Sequence, residues 1–208
     1  MTALPHEVKW LRACRMLAPL FSTCSRRQYF AVVLAPNKRV AGIGYNGAPA
    51  GMSHCVDGGC PRSSSTVTPG SAYDSPEGFC VAQHAEAGAL LWSDPAVRRG
   101  GTLVVNGPPC LECARLIASS GVRRVVHLDD PGYTNWSAIE GFLAAAGVEV
   151  CGVTAGDVPV DDDTITVMSE SGDEVIRFAG DEARWITDTA VKQFFSRLVV
   201  EHLSGRGD

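Results

Sequence analysis

HAEAGALLWSDPAVRRGGTLVVNGPPCLECARLIASSGVRRVVHL, residues 84–128, is the stretch that decides the fold. Residues 84–92 read as a helix, 102–105 as a short strand, 110–119 as a second helix and 123–127 as a second strand. Gly121 stands just past the second helix, where a left-handed residue ends a helix most easily. The alternation continues outward: residues 135–145 predict a helix followed by Gly147, and 148–151 a strand. Helices between successive strands act as crossovers, so the later strands run parallel and are covered by the helices. On the N-terminal side, 29–35 and 40–45 are β-rich runs flanking Pro36-Asn37-Lys38, which predicts a hairpin. Residues 6–21 repeat Val8, Trp10, Leu11, Cys14, Leu17 and Phe21 at helical spacing. The class is α/β.

Composition bounds what such a domain can be. The chain has 208 residues and a mass of 22.0 kDa, and a chain of this length buries roughly 70% of its unfolded surface without disulfide staples. Hydrophobic residues at 45%, charged residues at 20% and a mean hydropathy of +0.05 exclude a disordered chain or a coiled coil. No apolar run nears the roughly 18 residues of a membrane span. His6, Glu7 and Lys9 break any leader pattern, so the expected location is cytoplasmic. A net charge of −5 and a pI near 5.5 argue against a nucleic-acid polymer as partner and leave room for a small anionic ligand.

Two regions depart from the α/β pattern. Residues 47–77 are rich in Gly, Pro, Ser and Thr, and include Ser63-Ser64-Ser65. A loop of about thirty residues needs a function or a pin; the cysteines around it point to a metal pin. Beyond Cys151, residues 156–163 read as an acidic linker, and 165–168 and 175–178 as a hairpin around 169–173. Residues 181–203 carry Ile186, Ala190, Val191, Phe194, Phe195, Leu198 and Leu203 as the stripe of a helix that docks on this domain or on a sister subunit. The expected organisation is a catalytic domain over 1–155 and an extension over 156–208.

The chemistry rests on His84-Ala85-Glu86 and Pro109-Cys110-Leu111-Glu112-Cys113. One imidazole and two thiolates leave the fourth tetrahedral position of a zinc ion open, which is the mark of a catalytic site. Cys110 and Cys113 are expected in the first turn of a helix opened by Pro109, where the helix terminus favours thiolates. Glu86, two residues beyond His84, is placed to move protons without ligating the metal. A lone histidine is usually a core residue and a lone C-x-x-C can be half of a structural knuckle; both motifs in order favour catalytic zinc. Of eight cysteines, Cys14 and Cys151 lie in apolar stretches and read as core.

H-x-E followed by P-C-x-x-C is the signature of the zinc nucleobase deaminases. Further segments in order make the resemblance more specific: Cys24-Ser25-Arg26-Arg27-Gln28, Gly44-Tyr45-Asn46-Gly47-Ala48-Pro49, His54-Cys55, Gly59-Cys60-Pro61 and Cys80. Ser120-Gly121-Val122-Arg123-Arg124-Val125 and Ala146-Gly147-Val148 continue it, so that it covers residues 6 to about 151. The chain resembles the deoxycytidylate (dCMP) deaminases. The resemblance implies a three-layer α/β/α cytidine deaminase-like fold with a mixed five-stranded sheet, here extended by the C-terminal hairpin and helix. It implies hydrolytic loss of the 4-amino group, with zinc activating water and Glu86 carrying protons. It also assigns Asn46 to the nucleotide sugar, the Ala85 backbone to the pyrimidine and Tyr133 to the nucleotide. Members are often hexamers regulated by dCTP and dTTP with magnesium, which makes a homo-oligomer and an Mg2+-linked effector expectations for this chain.

Some relatives carry a second, structural zinc near this loop. Cys24, Cys60 and Cys80 with Cys55, or with His54 in its place, form a candidate closed shell, against the alternative of free thiols. Arg26 and Arg27 are candidates for holding a 5′-phosphate, or are simply solvated. The chain departs from the family at Tyr29-Phe30, where Val-Gly is usual, at Gly88, where asparagine is common, and at Asn106, near a usual Thr or Ser. These changes are either compensated repacking or a pocket reshaped for a modified, free or more highly phosphorylated cytosine nucleoside. A tRNA adenosine deaminase shares both motifs, but the acidic pI and pinned loop argue against it. A catalytically silent zinc scaffold or regulatory subunit is the alternative from another class, and Glu86 weighs against it.

Overall fold

Phe30–Leu34 (β1) is buried along its whole length because both faces of its sheet are covered. In the computed structural model β1 pairs antiparallel with Val40–Tyr45 (β2) on one side and with Thr102–Val105 (β3) on the other. Arg124–Leu128 (β4) and Glu149–Val153 (β5) then add in parallel, giving one mixed sheet in the order β2-β1-β3-β4-β5. The structure describes residues 2–64, 67, 74–75, 78–133, 135–158, 165–168 and 174–178.

The period of two along each strand divides the core into two halves. Phe30, Val32, Leu34, Val104, Val126 and Cys151 point to one face and pack with Leu11, Cys14 and Ala18 of Pro5–Phe21 (α1). Ala31, Val33, Leu103, Val105 and Val125 point to the other, against Ala85–Leu91 (α3), Leu111–Ser120 (α5) and Trp136–Ala145 (α6). The result is the expected three-layer α/β/α sandwich, with Cys14 and Cys151 as core residues. Two short helices, Pro61–Ser64 (α2) and Pro95–Arg98 (α4), were not expected from periodicity, since four residues cannot display one.

Two features fix the layers to each other. Glu7 on α1 is 1% exposed and takes two bonds from Arg124 on β4, at 2.7 and 3.0 Å; Glu149 on β5 binds the same guanidinium. On the opposite face, α3 lies almost on the backbone of β2. A Cβ on Gly44 would fall 2.2 Å from the Ala85 oxygen and 2.3 Å from the Ala89 nitrogen, so only glycine permits this approach.

The contacts divide the chain into two units, Met1–Pro159 and Val160–Asp208. In the second, Ile165–Met168 (β6) and Glu174–Phe178 (β7) pair antiparallel as the expected hairpin. The expected turn over 169–173 and helix over 181–203 lie outside the described residues, as does most of the linker from 159 onward. Among the described residues no helix is long and apolar enough to cross a membrane.

Candidate active site and metal centre

The three donors of the central motifs are brought together by the ends of two helices. Gln83 bridges to Gly47 through two backbone bonds, Gly47 N to Gln83 O at 3.2 Å and Gln83 N to Gly47 O at 2.8 Å. That bridge anchors His84, which is the extended residue directly ahead of α3. β3 then delivers Cys110 to the cap position of α5, where its sulfur accepts from the Cys113 backbone nitrogen at 3.5 Å. Cys110 therefore caps the helix rather than lying in its first turn, and Pro109 precedes the cap instead of opening the helix. The sequence reading misses this by one residue because proline and a capping thiol compete for the same start signal.

The His84 Nδ1 lies 3.3 Å from the Cys110 sulfur and 3.4 Å from the Cys113 sulfur. Zinc with Zn–S of about 2.3 Å and Zn–N of about 2.0–2.1 Å in a tetrahedron places nitrogen and sulfur roughly 3.6 Å apart, so this set fits the ion. Among the described residues it is the one group of three such donors whose ligand atoms all lie within 4.8 Å of one another. The electrostatics agree. Cys110 is held down to about 4 by the hydrogen bond from Cys113, with His84 adding to it against the cost of burial, while the same bond and burial push Cys113 up. The Cys110 bond raises His84.

Glu86, in the first turn of α3, is 4% exposed. Burial raises its carboxyl above the ordinary range, opposed by the charge of His84. Burial that favours the neutral form lets a carboxyl serve as a proton donor as well as an acceptor.

His84, Glu86 and Cys110 open onto a cavity of about 300 Å³, the lower end of the range for small-molecule sites. Ala85, Asn46, Tyr133 and Arg26, all proposed from the sequence, line it as well. Asn46 is strongly committed within the protein. Its Oδ1 accepts from Ser22 Oγ at 2.6 Å and from Tyr29 N at 2.8 Å, and its Nδ2 donates to Arg27 O at 2.7 Å. Asn106 does similar work, accepting from Phe30 N at 2.7 Å and donating to Gln28 O at 3.0 Å. The two asparagines hold residues 27–30 against the mouth of the sheet.

Cys24, Cys55 and Cys60 are buried together with Cys80 packed against them, and this group also borders the cavity. Cys60 is hydrogen-bonded to both Cys55 and Cys80. Burial pushes the Cys55 thiol up, but bonds from Ser25, Ser63 and Cys60 outweigh it and lower it; burial raises Cys80. His54 turns instead toward Thr23, with Nδ1 3.1 Å from its hydroxyl oxygen.

Tyr29 and Arg62 line the cavity as well; the sequence marks Tyr29 as a departure bearing on pocket shape, and gives Arg62 no role. Tyr29, whose hydroxyl accepts from Arg27 at 3.3 Å, faces the cavity over Gly107, where a Cβ would sit 2.4 Å from the tyrosine ring. Arg62 also lines it at 5% exposure. Its sequence signal was its position two residues after Cys60, matching Arg26 after Cys24.

An open three-donor metal centre beside a buried carboxylate, on a three-layer sandwich, is the apparatus of a hydrolytic metalloenzyme. Residues 5–129 match the model of the cytidine and deoxycytidylate deaminase zinc-binding region, and the chain belongs to that family. Deoxycytidylate deaminase of Mycobacterium phage D29 is 50% identical over 107 residues, 51% of this chain and 81% of that one. The Schizosaccharomyces pombe deoxycytidylate deaminase is 36% identical over 135 residues, 64% of this chain but 40% of the yeast protein. Among solved structures, dCMP deaminase from cyanophage S-TIM5 in complex with dCMP and dUMP shares the fold. Its TM-score is 0.53 at 23% identity, covering 73% of this chain and 99% of that one.

Proposed function

We propose that the chain is a zinc-dependent hydrolase converting dCMP and water to dUMP and ammonia. The observation that carries this reading is the convergence of His84, Cys110 and Cys113 beside buried Glu86 at one cavity. The phage and yeast relatives, named as deoxycytidylate deaminases, support the choice of substrate.

His84, Cys110 and Cys113 would hold a zinc ion, which would supply Lewis acidity and make an attacking water easier to deprotonate near neutral pH. Glu86 takes one proton from the attacking water and gives it to N3 of the pyrimidine, then takes the second from the new C4 hydroxyl and gives it to the amino group, which leaves as ammonia. The Ala85 backbone at the start of α3 grips the base and Tyr133 closes over the nucleotide. Asn46 shapes the sugar site chiefly by holding residues 27–30, with its remaining amide proton available to a hydroxyl. Arg26 faces the phosphate.

Cys24, Cys55, Cys60 and Cys80 are the residues that would hold a second, structural zinc, with Cys55 rather than His54 as the fourth ligand. Their shared burial and mutual bonds support this. The reading extends to a cytoplasmic homo-oligomer in which residues 1–155 carry the reaction and 156–208 form the extension. A nucleotide effector would bind with Mg2+. Tyr29 in the cavity favours one variant of the reading, a cytosine nucleotide modified on the base.

An ammonia-release screen over dCMP, CMP, deoxycytidine, dCTP and 5-substituted analogues tests the assignment. dCMP should be the best unmodified substrate. Reaction of unphosphorylated compounds alone would refute the dCMP reading, and preference for a 5-substituted nucleotide would select the variant.

A further inference from the structure

Arginines are concentrated along the cavity wall, where Arg26, Arg27 and Arg62 all stand. Arg62 is 5% exposed and lines the cavity together with Arg26. A guanidinium remains protonated in any protein setting, so both bring full charge to the wall. Glu86 is the one carboxylate among the lining residues. The concentration is local, because the chain as a whole carries −5. Arg27 lines the cavity too but is committed elsewhere: it is bonded to the Tyr29 hydroxyl and paired with Asp130 at 3.2 Å, with over half its side chain exposed.

The placement of the two arginines has one origin. Each stands two residues after a buried cysteine, as Cys24-Ser25-Arg26 and Cys60-Pro61-Arg62, and both cysteines belong to the same thiol group. Arg62 N donates to Phe79 O at 3.2 Å, and the Cys60 sulfur points to the same oxygen at 3.9 Å. Arg26 Nη1 reaches Arg62 O at 3.5 Å, linking the two segments. The thiol group thus sets where both cations stand relative to the catalytic donors.

Resting on the function proposed above, we infer that Arg62, acting with Arg26, is a specificity-determining residue that receives the 5′-phosphate, and that the thiol group is the frame spacing this pair. Guanidinium groups suit the task because their planar forks bind phosphate oxygens bidentately. The rival role is charge balance alone: four thiolates on one zinc ion carry a net charge of −2, which nearby arginines would offset. The two roles differ in consequence. Phosphate recognition acts only on phosphorylated substrates, whereas charge balance acts on metal retention and on every substrate alike.

The test uses the full chain loaded with zinc, as wild type, Arg62→Gln and Arg62→Lys. It measures kcat and KM for dCMP and deoxycytidine, inhibition by inorganic phosphate, and zinc content. The ratio of kcat/KM for dCMP to that for deoxycytidine should fall on the order of 100-fold in Arg62→Gln, mainly through KM for dCMP. Inhibition by inorganic phosphate should weaken with it, and zinc content should hold. Lysine keeps the charge without the fork, so Arg62→Lys should lie between; it carries the test if the glutamine variant does not fold. Equal losses on both substrates, or zinc lost in step with activity, would overturn the inference. A wild type that does not turn over dCMP would instead remove the function it rests on.

Discussion

The two cysteine sites of this molecule border one cavity but are built in opposite ways. His84, Cys110 and Cys113 sit at the starts of α3 and α5, helices packed on the sheet, and their ligand atoms lie within 4.8 Å of one another. Cys24, Cys55, Cys60 and Cys80 come from four separate stretches of loop or short helix, and no three of them meet that distance. The first site is preorganised by close backbone packing. The second depends on groups that hold one another. Regular elements supply the geometry that chemistry needs; the loop supplies charge and recognition.

The largest expected effect strikes the chemistry without touching either frame. Glu86→Gln keeps the shape of the side chain and should retain zinc, yet lower kcat by about 10²- to 10⁴-fold. Unchanged turnover with zinc in place would remove Glu86 from proton transfer. Next comes the packing that holds the first site. Gly44→Ala drives a methyl into the α3 backbone and should cost about 3 kcal/mol or more in a denaturant titration, with weaker zinc retention. Normal stability would mean that α3 does not need this close approach. The smallest effect on turnover belongs to the second site. Cys60→Ser should lower zinc from about two ions per chain to about one, raising KM for dCMP several-fold with kcat little changed. A wild type that binds one ion would take the metal, though not the thiol frame, out of the comparison.

The same contrast explains which parts were legible in the sequence. β3 over Thr102–Val105 was read without error, because a buried strand must be an unbroken apolar run. The three donors that the structure brings together, His84, Cys110 and Cys113, were equally plain, since zinc chemistry restricts both residue type and spacing. Arg62 was not seen, because an arginine in a loop of Pro, Ser and Gly has the composition of a solvated surface; its burial follows from the fold of Cys60 onto Phe79, a contact across nineteen residues. Asn46 was read as a sugar contact, while three of its bonds serve residues 22–29. Side-chain amides have no period, and their partners appear only when the loop is closed. The choice between His54 and Cys55 likewise turns on the direction of neighbouring side chains, which sequence order does not encode.

One measurement reaches the central claim most directly: dCMP turned over by the zinc-loaded chain in ¹⁸O-labelled water, with the nucleotide product and ammonia both quantified. The account predicts dUMP with a single labelled oxygen at C4 and one ammonia per turnover. Absence of dUMP, or dUMP without the label, would contradict it.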